Sequence, residues 1–143
     1  MGGIIMAEIL IADIPDGIRT IQSALANKHT ITTAETFDMA MQNLTRRRFD
    51  LVIIGVHFDD SRMYELISNM RNFTLNRSTP FATIRVQGSD LSDFFCDSIE
   101  RTCKALRACK FIDMVKLIEK GPEAEALLRK ELESCLRGKN HPE

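Results

Sequence analysis

Short runs of apolar or β-branched residues alternate along this chain with segments whose apolar positions recur every three to four residues, and that alternation admits few folds. Glu8-Ile-Leu-Ile-Ala12, His29-Thr-Ile-Thr-Thr33, Phe49-Asp-Leu-Val-Ile-Ile54 and Pro80-Phe-Ala-Thr-Ile-Arg-Val86 read as strands. Between them lie the helical stripes Ile18, Ile21, Ala24, Leu25; then Phe37, Ala40, Met41, Leu44; then Met63, Leu66, Ile67, Met70. A strand followed by a crossover helix and another strand forces parallel pairing, with the helix returning over one face. The pattern predicts an α/β domain: a doubly wound, five-stranded parallel sheet with helices on both faces. Ligand sites in such sheets lie at the carboxyl ends of the strands, so the residues there carry the functional argument.

Asp16 and Thr36 are placed to cap the first two helices. Beyond the fourth strand, Leu91, Phe94, Phe95, Ile99, Cys103, Leu106 and Cys109 follow at steps of three and four, predicting an unusually long fourth helix. Two parses of the next stretch compete. In one, Ala105 to Cys109 is the fifth strand and Phe111 to Glu119 a helix. In the other, the long helix runs to about Lys110 and Met114-Val-Lys-Leu-Ile118 is the strand; the helix formers of Lys104 to Ala108 and the β-branched residues of 114–118 favour it. After Gly121-Pro122, Ala124, Leu127, Leu128, Glu131, Leu132 and Cys135 mark a last helix, with Gly138 as its stop. The reading is one domain over 6–138, with flexible ends at 1–5 and 139–143.

The 143 residues are 44% hydrophobic and 27% charged, with a formal charge of -1. Disorder needs fewer apolar residues and more net charge. The near-balance of charge offers no field for nucleic acid or an anionic membrane, and no apolar run approaches the roughly 20 residues that span a bilayer. The opening Met1-Gly-Gly-Ile-Ile-Met6 lacks the basic flank of a secretory signal. Cys96, Cys103, Cys109 and Cys135 have no paired Cys-x-x-Cys spacing and no histidine cluster, so they read as isolated thiols suited to a reducing cytoplasm.

Three stretches resemble the response-regulator receiver family of bacterial two-component systems: Ile9-Leu-Ile-Ala-Asp13; Phe49-Asp-Leu-Val-Ile-Ile-Gly-Val-His-Phe58 with Tyr64-Glu-Leu-Ile67; and Ile118-Glu-Lys-Gly-Pro-Glu-Ala124 with the helix after it. The likeness covers Glu8 to Leu136 and implies a flavodoxin-like sheet of order 2-1-3-4-5. The family's chemistry uses two acids after the first strand to hold Mg²⁺, an aspartate ending the third strand to accept the phosphoryl group, a serine or threonine on the fourth, and a lysine after the fifth. A trianionic group is tolerated only beside such fixed positive donors.

Mapped onto those positions, Asp13 fills the first acidic place, Ile14 the second, Gly55 the acceptor place, Arg85 the hydroxyl place and Lys120 the lysine place, the last conditional on the second parse. Glycine has no side chain to phosphorylate, and an isoleucine cannot hold a metal. The resemblance therefore implies a pseudo-receiver: a non-enzymatic interaction module in a phosphorelay, without cofactor, whose Asp13, Lys120 and Arg85 close the former pocket as an internal ion-pair cluster. Asp13 alone remains as a metal candidate, and Mg²⁺ enters only under the alternative of an atypical but active receiver using Asp13 or Asp59 as acceptor. A nucleotide or flavin binder is disfavoured by the acidic Asp13-Ile-Pro-Asp16 loop. Asp59 and Asp60 read as turn and cap residues, His57 as a loop histidine with no catalytic partner, and Arg46-Arg47-Arg48 as a solvated helix end.

Receivers of this family communicate through the fourth helix, fifth strand and fifth helix. Here Phe94, Phe95, Cys103, Leu106 and Phe111 make that region heavily apolar, and they are the candidate contacts for a protein partner, a histidine kinase or output domain, or for a homodimer.

Overall fold

The computed structural model describes residues 6–25 and 28–139. Five strands, β1 (Glu8–Ala12), β2 (Thr30–Ala34), β3 (Leu51–Gly55), β4 (Phe81–Arg85) and β5 (Lys110–Asp113), form one sheet in the order β2-β1-β3-β4-β5. Every pair is parallel. Alternation along the strands sorts side chains to two faces. Ile9, Ile11, Leu51, Ile53 and Ile84 face α1 (Pro15–Leu25) and α8 (Ala124–Lys139). Leu10, Ala12, Val52, Ile54 and Phe81 face α2 (Phe37–Arg46), α4 (Met63–Met70) and α6 (Cys96–Ala105). The doubly wound architecture expected from the sequence is the one observed.

The helix starts follow local chemistry. Thr36 caps α2, its hydroxyl accepting from Met39 N at 3.2 Å. Asp16 is not the cap expected: helix α1 begins at Pro15, two residues earlier than a cap at Asp16 would start it, and a missing N–H costs nothing at the first position. Helix α8 runs through Gly138 to Lys139 rather than stopping at the glycine. Apart from Lys139, the ends assigned to 1–5 and 139–143 lie outside the described residues.

The expected long fourth helix is two pieces, α5 (Asp90–Phe94) and α6, broken at Phe95 (φ -101°, ψ 15°) and finished by Ala105. Neither parse of the fifth strand holds: β5 is the four residues Lys-Phe-Ile-Asp, set by Cys109 N donating to Phe81 O at 2.7 Å and by Arg85 opposite Asp113. The turn before it depends on Arg107 at φ 73°, a left-handed residue in the place where glycine usually stops a helix. The preferred strand, Met114 to Ile118, is instead the short helix α7 (Met114–Leu117), which Asp113 caps by accepting from Val115 N, with Ile118 opening the turn that follows. A 3-10 turn (Ile118–Glu123) then leads into α8.

Two links were invisible in the sequence. Cys109 and Cys135 form a disulfide across 26 positions, so these cysteines are not the isolated thiols expected; Cys96 and Cys103 are free and buried. The pairing arises because Cys109 immediately precedes β5 and α8 packs on that strand, and it removes the support that unpaired cysteines lent to a reducing compartment. Buried His29 accepts from Ala7 N on Nδ1 (3.1 Å), which leaves the hydrogen on Nε2 to donate to buried Glu133 of α8 (3.0 Å).

Candidate functional site: a receiver-like pocket filled from within

Strand register brings the ends of β1, β3, β4 and β5 to one edge: Ala12 lies opposite Ile54, Gly55 opposite Ile84, and Arg85 opposite Asp113. Asp13, the first residue past β1, turns inward and is 2% exposed. Its Oδ1 accepts from Ile14 N at 2.7 Å, and its Oδ2 is buried without a partner. Burial pushes the Asp13 carboxyl up to about 7, against a smaller opposing pull from the Ile14 N–H.

That carboxylate fits because two glycines make room for it. A Cβ built on Gly55 would lie 1.8 Å from Asp13 Oδ1 and 2.0 Å from its Cγ; one built on Gly17 of α1 would lie 1.9 Å from Oδ2. An acid does therefore occupy the space that a side chain at position 55 would need, and it is supplied by β1. The hole is plugged.

Arg85 does not join Asp13 in the expected ion-pair cluster. Its guanidinium makes a bidentate pair with Asp113 (Nε–Oδ1 3.1 Å, Nη2–Oδ2 3.0 Å), while Nη1 donates to Ser92 Oγ at 3.2 Å and pairs with Asp93. Burial works against the charge on Arg85, but the hydrogen bonds to Asp113 and Asp93 outweigh it and raise its pKa further. Burial likewise opposes ionisation of Asp113, and the Arg85 bonds again prevail, holding its carboxyl below the usual range. The buried Cys96 thiol donates to Asp113 at 3.5 Å, and burial pushes that thiol up. Ser92 in turn forms a capping box with Ser89 at the start of α5. One guanidinium thus ties β4 to β5 and to α5.

Lys120, expected at the end of the fifth strand, sits exposed in the 3-10 turn after α7; Asp113 stands at that strand end instead. Ile14 is half-buried and offers no ligand. Among the described residues no three His, Cys, Asp or Glu side chains converge on a point where a metal ion could be held. Together with an Asp13 carboxylate pressed against glycine backbone, this donor set does not fit the divalent ion that the family's chemistry requires.

Asp59 serves a different helix from the one expected: its Oδ2 accepts from Phe37 N at the start of α2, at 2.6 Å. It belongs to the single turn α3 (Phe58–Ser61), where Asp59, Asp60 and Ser61 have φ of 42°, 56° and 64°. His57 Nε2 donates to Gln87 O at 2.9 Å.

The candidate contact residues separate by burial. Cys103 is fully buried core, and Leu106 and Phe111 are half-buried against it, so these are not a free surface. Phe94 is 81% exposed and Phe95 46%, their rings 4.8 Å apart, and Leu91 beside them is 71% exposed. Leu91 and Phe95 line a groove of about 250 Å³ together with Val56, His57, Met63, Tyr64 and Ile99, among others, and Phe94 stands next to it in sequence. Of the residues that shape this edge, Gly17, Ser92, Asp93 and Asp113 were missed in the sequence; a four-residue strand and side chains meeting across separate elements leave no spacing signal.

No protein-family model matches the sequence, and no curated protein matches it. Solved structures do. A response regulator of Hahella chejuensis superposes with a TM-score of 0.70 at 19% identity, covering 95% of this chain and 98% of its own. A chemotaxis response regulator of Vibrio cholerae gives 0.68 at 19% identity, covering 91% and 98%. The receiver domain of a sensor histidine kinase of Pseudomonas aeruginosa, solved with magnesium coordinated in its active-site cleft, gives 0.66 at 15% identity, covering 92% and 98%. No helix among the described residues is long and apolar enough to cross a membrane. The chain has the fold of response-regulator receiver domains.

Proposed function

We propose that this domain is a pseudo-receiver: a non-catalytic, cofactor-free module that acts through protein contact in a bacterial two-component relay, without accepting a phosphoryl group. The observation that carries the reading is the Asp13 carboxylate held in the space beside Gly55, where an acceptor side chain and its incoming phosphoryl group would have to fit. The Arg85–Asp113 pair adds to it: the guanidinium buried at this edge is already neutralised by Asp113 and enters no ion pair with Asp13 among the described residues. The partner class this implies is a sensor kinase or output domain in the cytoplasm.

One observation favours a second reading, that Asp13 is itself an acceptor, because it lies in that slot. Its burial argues against it first, since an acid closed off from solvent and, with its pKa raised to about 7, only about half ionised at neutrality is a poor nucleophile for a phosphodonor. Incubation with acetyl phosphate and Mg²⁺, followed by intact-mass measurement and amide NMR with beryllofluoride, separates the two. The pseudo-receiver gives no phosphoryl adduct and no shifts around Asp13 and Gly55. An adduct mapping to Asp13 would establish the second reading.

A further inference from the structure

We infer that Leu91, Phe94 and Phe95 form a docking ridge for a cationic amphipathic helix of a partner protein. This rests on the contact-module reading and adds the chemistry of what is contacted.

Two phenylalanines and a leucine at positions i, i+3 and i+4 occupy one side of α5, and all three are exposed. Leaving such side chains in water forgoes roughly 1.5–3 kcal/mol each that burial would provide. Other large apolar side chains of the first turns of α5–α6 are not displayed this way: Ile99 turns down to the groove floor with Val56 and Met63. A ridge beside an apolar groove is the geometry that accepts a helix laid across it.

Charge selects the class of helix. From Val86 to Glu100 the chain carries Asp90, Asp93, Asp97 and Glu100 and no lysine or arginine, although the whole sequence has 19 basic and 20 acidic residues. Asp93 is partly neutralised from beneath by Arg85, and Glu100 by Lys104. Among the described residues the side chains of Asp90 and Asp97 enter no ion pair, and both are exposed. Counting on through α6 to Lys104 adds Arg101 and Lys104, and the rim stays net acidic, four acids against two bases, so a helix with lysine or arginine flanking its apolar face is attracted and an acidic one repelled. The ridge is also held ready: α5 has only five residues, but the Ser89–Ser92 capping box and the Arg85–Asp93 pair fix it, so little ordering cost falls on binding.

The test uses the whole chain and labelled model peptides: an amphipathic Leu/Lys helix, its Leu/Glu counterpart, and a shuffled Leu/Lys peptide with no apolar face. We expect fluorescence anisotropy to show saturable, salt-weakened binding of the first alone. Amide shifts should centre on 86–100 and on the groove residues 56–64. Phe94→Ser should weaken binding at least tenfold, about 1.4 kcal/mol, and Asp90→Asn/Asp97→Lys should do so with the apolar ridge untouched, both variants keeping the wild-type circular dichroism. Equal binding of the Leu/Glu peptide through the same residues overturns the cationic class and leaves the contact module standing. Equal binding of the shuffled peptide, or shifts elsewhere on the fold, overturns the ridge. Self-association that Phe94→Ser abolishes would make a second copy the occupant and overturn the proposal too. A phosphoryl adduct on Asp13 overturns the contact-only reading whatever the peptides do.

Discussion

Adding a single methyl at position 55 should damage this domain, although glycine sits there with ordinary backbone angles. The Gly55→Ala methyl would fall 1.8 Å from Asp13 Oδ1 and 2.0 Å from Cγ, where apolar contact begins at about 3.5 Å. To make room the carboxylate would have to swing away, giving up the bond from Ile14 N to Oδ1. Overpacking of this kind costs about 1–3 kcal/mol, and ejecting Asp13 toward solvent instead would orphan the Ile14 N–H for about 1 kcal/mol. We therefore expect Gly55→Ala to lose about 1–2 kcal/mol in urea unfolding with an unchanged m-value. Asp13→Ala should be milder, since it deletes a buried acid with an unpartnered oxygen. The double variant should recover most of the loss, giving a coupling energy of about 1 kcal/mol. A Gly55→Ala cost below about 0.5 kcal/mol, or one that persists undiminished in the Asp13→Ala background, would show that the two residues do not compete for one space.

Other consequences follow from the same edge and from the staples behind it. Because the folded state holds the Asp13 proton to about pH 7 while the unfolded chain releases it near 3.8, the unfolding free energy should fall as pH rises between those values, by at most roughly 4 kcal/mol. Asp13→Asn should flatten that window in urea titrations at pH 5 and 8; profiles parallel to wild type would contradict the assignment. Arg85→Met strands Asp113 inside the fold and should cost about 3 kcal/mol, partly restored by adding Asp113→Asn. Hydrogen exchange at 89–95 should quicken with it, and unchanged protection there would mean α5 does not depend on Arg85. Cys109→Ser opens a closure spanning 26 positions and should lower stability by about 3.5 kcal/mol on chain-entropy grounds. A urea midpoint insensitive to dithiothreitol would argue that the bond contributes nothing.

Crossover helices and both core faces were legible in the sequence because each strand's apolar run and each helix's stripe is a local signal, whereas the sheet order came from the resemblance to receiver domains. The placing of Gly55 at the end of the third strand and of Asp13-Ile14 just past the first was legible from the same local signals. The rest of the site was not. Arg85 pairs with Asp113 across 28 positions, and the identity of that partner depends on a strand only four residues long, entered through a turn at a left-handed arginine rather than a glycine. The same misplacement put Lys120 in the pocket and drew Cys103 and Phe111 into one exposed stripe with Phe94. Where Asp13 points was equally closed to inspection, since it follows from two glycines on different elements leaving a shared gap.

The His29–Glu133 contact ties the far end of the chain to its beginning. Glu133 lies in the last turns of α8, yet its carboxylate fixes the ring that accepts from the backbone just ahead of β1. Trimming the domain ahead of residue 133 would therefore strip a buried imidazole of the carboxylate it donates to, and the loss would surface at the opposite terminus as fraying of the β1–β2 pairing. Any shortened version meant to stand alone has to keep that glutamate, whatever else it discards.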